Sequence, residues 1–287
     1  MASQSVSISG PEITAIRASA RHNGVIVSIG VSEKVEYSTA TLFNSNVIIG
    51  SDGELLVHHR KLMPTFFEKL TWSPGDGHGL RVADTKAHGK IGALICGENT
   101  NPLARYALMA QGEQVHISSW PAVWPTRLPK STQGASGAGP KNYDNVSANR
   151  TRAAAHCFEA KCFGILCAAH LSDENVKAIA EMTEDPESTS TILQSSQRAA
   201  SMFLDPTGAS LPSFTINEHG KQEAKDFLQH EEGILYADLD LDQCVEGKQY
   251  HDVVGGYQRL DVFELKVDRS RREPAIFTDT SMLTTKE

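Results

Sequence analysis

Cys96 lies within KIGALICGENTNPLARYALMAQG, residues 90–112, a stretch that presents its thiol in a chemically particular way. Ile91 to Ile95 is an apolar run of strand type, and Gly97-Glu98-Asn99 reads as a turn. Asn101-Pro102 then opens a helix, with an Asn that can cap and a Pro at the first helical position. Leu103, Tyr106, Ala107 and Ala110 continue at helical spacing towards a closing Gly112. The pattern predicts a thiol at the end of a buried strand, pointing to a helix N-terminus. The field and the unpaired N–H groups there favour thiolate over thiol, and the thiolate is the nucleophile. An inert, buried core cysteine is the competing reading.

A second group lies in HHRKLMPTFFEKLTWSPGDG, residues 58–77. Lys61 follows a strand that Pro64 stops, and Glu68 comes seven residues after it. Leu62, Met63, Phe66, Phe67 and Trp72 crowd the same connection with apolar bulk. A lysine held among such groups beside a carboxylate can transfer a proton or stabilise a developing anion. On residue type alone, Lys61 is equally a solvated surface lysine and Glu68 a salt-bridge carboxylate.

No other constellation competes with these. Cys157, Cys162 and Cys167 match neither zinc nor iron–sulfur ligand spacing, so no metal is expected. The eleven histidines are scattered, and none is singled out as a base for Cys96. A net charge of -8 without a basic stripe argues against a nucleic-acid partner. No apolar run reaches membrane-span length, and MASQSVSISG has no signal-peptide core. Five cysteines, an odd number, suit a reducing cytosol better than a disulfide framework, so a soluble cytoplasmic protein is expected.

The elements that must position these residues read as alternating strands and helices. Helices are expected over Pro11–His22 and Asn145–Lys161, strands over Val25–Val31, Gln114–Ser119, Phe163–Ala169, Ala200–Leu204 and Gly233–Leu239, and a hairpin over Thr41–His59. Leu171–Gln197 should hold a helix and an exposed loop, and Pro121–Lys141 a flexible loop that is no phosphate cradle. Residues 1–265 form one α/β domain on this reading, and residues 266–287 a polar tail.

The two stretches together resemble the nitrilase branch of the carbon–nitrogen hydrolase superfamily. His59-Arg60-Lys61-Leu62-Met63-Pro64-Thr65 with Glu68, Trp72 and Gly75-Asp76-Gly77 is similar to that branch's lysine segment. Cys96-Gly97-Glu98-Asn99 before Asn101-Pro102-Leu103-Ala104-Arg105-Tyr106 is similar to its nucleophile segment. Gln111 to His116, Arg152 to His156 with Phe158-Glu159, and His251 to Gly255 with Tyr257 follow in the same order. The resemblance, over about Pro11–Val262, implies a four-layer α–β–β–α sandwich and a homo-oligomer, dimer-based and often spiral. It implies no cofactor and a small-molecule nitrile as substrate. Cys96 would be the nucleophile, Lys61 the stabiliser of negative charge, Glu68 the residue that positions Lys61, and Trp120 part of the acyl pocket.

The family's general-base glutamate belongs to a Phe-Pro-Glu-like segment ahead of the helix at Pro11. None of Glu12, Glu33 and Glu36 has a matching context, and the chain is expected to lack the family's first strand–helix–strand. Gly256 stands where His is usual and Leu260 where Pro is usual. General-base help is worth about 10²–10⁴-fold in rate. A catalytically silent nitrilase-like subunit is therefore the alternative expectation.

Overall fold

Gly10 and Pro11 start the first helix, α1 (Pro11–Asn23), because Pro at the first position gives up no needed N–H. Gly24 closes it in the left-handed region, at a φ of 63°. The computed structural model describes residues 1–124 and 144–275. They fall into two compact units, residues 1–80 with the segment from Lys266, and Arg81–Leu265.

In the first unit, strands β1 (Val27–Lys34), β2 (Leu42–Ile49) and β3 (Leu55–Arg60) form an antiparallel sheet in that order. Ile13 and Ala20 of α1 pack on Val47 and Ile49 of β2, forming a small core of their own. The β2–β3 turn passes through Gly53 at a φ of 80°, where a Cβ would stand 2.7 Å from the Arg17 carbonyl. Only glycine meets both demands. Residues 266–275, expected to be a polar tail, form no helix or strand. Their Arg271 donates to the His58 ring at 2.8 Å and to the His58 carbonyl at 3.2 Å, and pairs with Asp76.

The second unit runs β4 (Ala83–Asp84), β5 (Lys90–Ile95), α2 (Pro102–Met109), β6 (Val115–Trp120), α3 (Asn145–Ala160) and β7 (Phe163–Ala168). It continues with α4 (Asp173–Glu181), α5 (Pro186–Ser195), β8 (Ser201–Leu204), β9 (Phe214–Ile216), β10 (Gln222–Ala224), β11 (Phe227–Leu228) and α6 (Asp242–Lys248). Six strands form one sheet in the order β11-β8-β7-β6-β5-β4, with β5, β6 and β7 parallel. Their register aligns Ile95 with Ser119 and Ser119 with Cys167, so three carboxyl ends finish side by side. Ligands of open α/β sheets gather at such an edge. Beneath it, Trp120, Ala153, Cys157, Leu166, Ala200, Met202 and Leu204 make the core.

Most expected elements are present, and the differences have local causes. Leu171–Gln197 holds two helices, because Ser172 caps α4 and Asp185-Pro186 starts α5. Gly233–Leu239 is not a strand. Tyr236 alone exchanges backbone bonds with Phe214, both at 2.9 Å, and the other side of β9 is taken by β10, a partner the sequence reading did not foresee. Residues 125–141 of the expected flexible loop lie outside the described residues. Among the described residues, no helix is long and apolar enough to cross a membrane.

Candidate active site

Lys61 is the residue that follows β3, and its backbone is held from both sides. Its N–H donates to the Asn44 carbonyl and its own carbonyl accepts from Gly75, each at 2.8 Å. Gly75 must be glycine, because a Cβ there would stand 2.4 Å from the Arg60 carbonyl oxygen. The side chain is 1% exposed. Its ammonium donates to Glu68 Oε2 at 2.5 Å and to Thr65 Oγ1 at 3.2 Å. Glu68 also accepts the Thr65 N–H at 2.6 Å, closing a capping box at the 3₁₀ turn Phe66–Leu70. Of the apolar bulk expected around Lys61, Met63, Phe66 and Phe67 are each more than half exposed, and Leu62 and Trp72 are half-buried. The carboxylate beside the lysine is there, and it makes Lys61 a buried, paired ammonium.

Cys96 stands where the sequence pattern puts it, directly after β5 and at the start of the 3₁₀ turn Cys96–Thr100. Its φ is +52°, a left-handed conformation that non-glycine residues adopt at a cost of about 1–2 kcal/mol. Such strain collects at functional corners, where neighbouring structure over-determines it. Here Asn99 donates from Nδ2 to the Cys96 carbonyl at 3.0 Å and to the Leu94 carbonyl at 3.3 Å. Glu98 accepts the Ile95 N–H at 2.8 Å, a structural task. Asn101 caps α2 through Leu103 and Ala104, as its type suggested. Cys96 is half-buried and packs on the core that contains Trp120. Trp120 is 5% exposed and donates to Ser118 Oγ at 3.1 Å. Lys61 and Glu68 are thus together in one unit, and Cys96 and Trp120 in the other.

Burial pushes the Cys162 thiol far up and the Cys244 thiol to about 11, which keeps both protonated and inert. Glu33 is spent on structure. Burial would raise its carboxyl, but hydrogen bonds from His58 and Arg60 outweigh that and hold it at about 2. Glu12 lies exposed on α1, and Glu36 is exposed and accepts from Ser9. Sequence reasoning missed a buried set formed by Asn99, Glu113, His116 and His156. All four residues lie in segments that carry the family resemblance, and His116 is a polar residue at an inward position of the apolar strand β6.

Comparison with known proteins establishes the family. A family model described as carbon-nitrogen hydrolase matches residues 1–249. A nitrilase of Penicillium rubens is 30% identical over 281 residues, covering 96% of this chain and 75% of that protein. An arylacetonitrilase of Aspergillus kawachii is 32% identical over 267 residues, covering 93% and 72%. Among solved structures, a carbon–nitrogen hydrolase from Helicobacter pylori aligns with a TM-score of 0.59 at 19% identity, covering 83% of this chain and 69% of that one. Nit3 of Saccharomyces cerevisiae, of the nitrilase superfamily, aligns with a TM-score of 0.57 at 20% identity, covering 88% and 72%. The likeness to these structures carries the fold, an α/β fold of the carbon–nitrogen hydrolase type. The chain belongs to the carbon–nitrogen hydrolase family, and within it to the nitrilase branch.

Proposed function

We propose that this chain hydrolyses nitriles to carboxylic acids and ammonia through a covalent intermediate on Cys96. The observation that carries the reading is the corner at Cys96, a half-buried thiol at a strand end, held at a φ of +52°. The sulfur adds to the nitrile carbon and the nitrogen takes a proton, giving a thioimidate. Water adds to that carbon, ammonia leaves, and a thioester remains. A second water releases the acid and restores the thiol. Lys61 supplies the positive charge for the anionic nitrogen and the tetrahedral centres, and its burial strengthens that interaction. Glu68 holds the ammonium in place through the 2.5 Å bond. Trp120, packed in the same core as Cys96, supplies apolar wall for the acyl group.

The relatives named as nitrilases and arylacetonitrilases support a nitrile as substrate, with arylacetonitriles and aliphatic nitriles the compounds to try first. The family resemblance supports a homo-oligomer built from dimers. The odd number of cysteines, five, suits a reducing, cytoplasmic setting. Ammonia release from phenylacetonitrile and from valeronitrile tests the function, with Cys96→Ala expected to abolish it. A folded oligomer that releases no ammonia from either would be the catalytically silent subunit instead.

A further inference from the structure

Behind Cys96 runs a chain of fully buried polar side chains. His156 Nε2 meets Glu113 Oε2 at 2.6 Å, and Glu113 Oε1 meets His116 Nδ1 at 2.8 Å. His116 Nε2 meets Asn99 Oδ1 at 2.8 Å, and Asn99 ends the chain on the Cys96 carbonyl at 3.0 Å. The two imidazoles stack with centroids 3.7 Å apart. Space is reserved for the carboxylate: a Cβ on Gly92 of β5 would stand 1.9 Å from Glu113 Oε1. Glu113, His156 and Cys162 also offer donor atoms within 4.8 Å of one another. Both oxygens of Glu113 already serve the histidines, however, so the cluster is a hydrogen-bonded relay.

The donors and acceptors fix where the protons are. Asn99 Nδ2 faces two carbonyls, which only accept, so Oδ1 faces His116 and His116 Nε2 must carry a proton. Glu113 is ionised. Burial would raise its carboxyl, but the two histidines bring it down to about 2. His116 Nδ1 must then also donate, and the ring is an imidazolium paired with the carboxylate. His156 takes the complementary role. Burial, and then the charge on His116, push it down to about 4, and its Nδ1 has no hydrogen-bond partner among the described residues. Arg105, paired with Glu159 at 2.7 Å, is the other cation acting on His156.

We infer that Glu113, His116 and Asn99 are positioning residues for Cys96. Together they hold its carbonyl in the left-handed corner and turn the positive end of a buried ion pair towards the nucleophile. The inference rests on Cys96 being the nucleophile, but not on a nitrile being the substrate.

Carbamidomethylation of Cys96 by iodoacetamide, followed from pH 6 to 10 by peptide mass spectrometry on the full chain, tests it. Cys167, the exposed thiol, reports any general loosening in the same digest. In Glu113→Gln, the rate at Cys96 should fall about tenfold at pH 7, and its pH midpoint should rise by about one unit, with Cys167 unchanged. Should Glu113→Gln fail to fold by circular dichroism, Asn99→Ser keeps the buried ion pair and removes only the last link. The same shift is expected there. An unmoved midpoint in a folded variant, or parallel changes at Cys96 and Cys167, would overturn the inference. If Cys96 of the unaltered chain reacts more slowly than Cys167, the nucleophile assignment itself is what fails.

Discussion

Replacing Glu33 by Gln should destabilise the first unit severely, and the size of the effect follows from what the carboxylate touches. Arg60 donates to it through Nη2 at 2.5 Å and Nε at 3.1 Å, His58 meets it at 2.8 Å, and Ser45 donates at 2.6 Å. Arg60 is 7% exposed, so losing its counter-charge leaves a buried guanidinium uncompensated. Breaking a buried pair from one side costs about 3–5 kcal/mol. Acid should act on the same contact. The carboxyl sits at about 2 in the folded chain against 4.5 when unperturbed. Its contribution is therefore complete above pH 4.5 and is lost as pH falls from there towards 2. At 1.36 kcal/mol per unit, that contribution is about 3 kcal/mol. Urea unfolding followed by tryptophan fluorescence at pH 7 and again at pH 3 reads both effects. Trp72 is a suitable reporter, because its indole N–H donates to Ser32, the residue before Glu33. If Glu33→Gln loses under about 1 kcal/mol at pH 7, or shares the acid sensitivity of the unaltered chain, the ion-pair reasoning is wrong.

Three further outcomes are expected. Glu68→Gln removes the buried counter-charge of Lys61 and should cut ammonia release from phenylacetonitrile about 10²–10³-fold, a loss seen in kcat more than in KM. Gly79→Ala would put a Cβ 2.2 Å from the His59 Cα, where only backbone could yield, so thermal melting should show a loss of about 1–3 kcal/mol. At Gly220, where φ is +73° but no described residue would lie within 4 Å of the added Cβ, Ala should cost only about 1–2 kcal/mol, the left-handed penalty alone.

How much of this was legible in the sequence depended on how local each cause is. The corner at Cys96 could be read because its signals lie within one short stretch of chain: an apolar run, the Asn101 cap, Pro102 and a left-handed Gly112. The Lys61–Glu68 pair is similarly local, and Thr65 with Glu68 carried a capping-box pattern that the sequence reading passed over. Glu33 and Arg60 are 27 residues apart, and Glu113 and His156 are 43 apart. No periodicity announces such contacts, because folding alone brings the partners together. Gly233–Leu239 failed for the opposite reason. Its apolar pattern suits a strand, but strand formation needs a partner edge, and only Tyr236 finds one.

Peptide mapping after rapid acid quench of the chain turning over phenylacetonitrile tests the central claim most directly. The reading predicts the substrate's acyl or imidoyl group on Cys96, accumulating before ammonia reaches its steady rate. Ammonia released while Cys96 stays unmodified at every time point would contradict it.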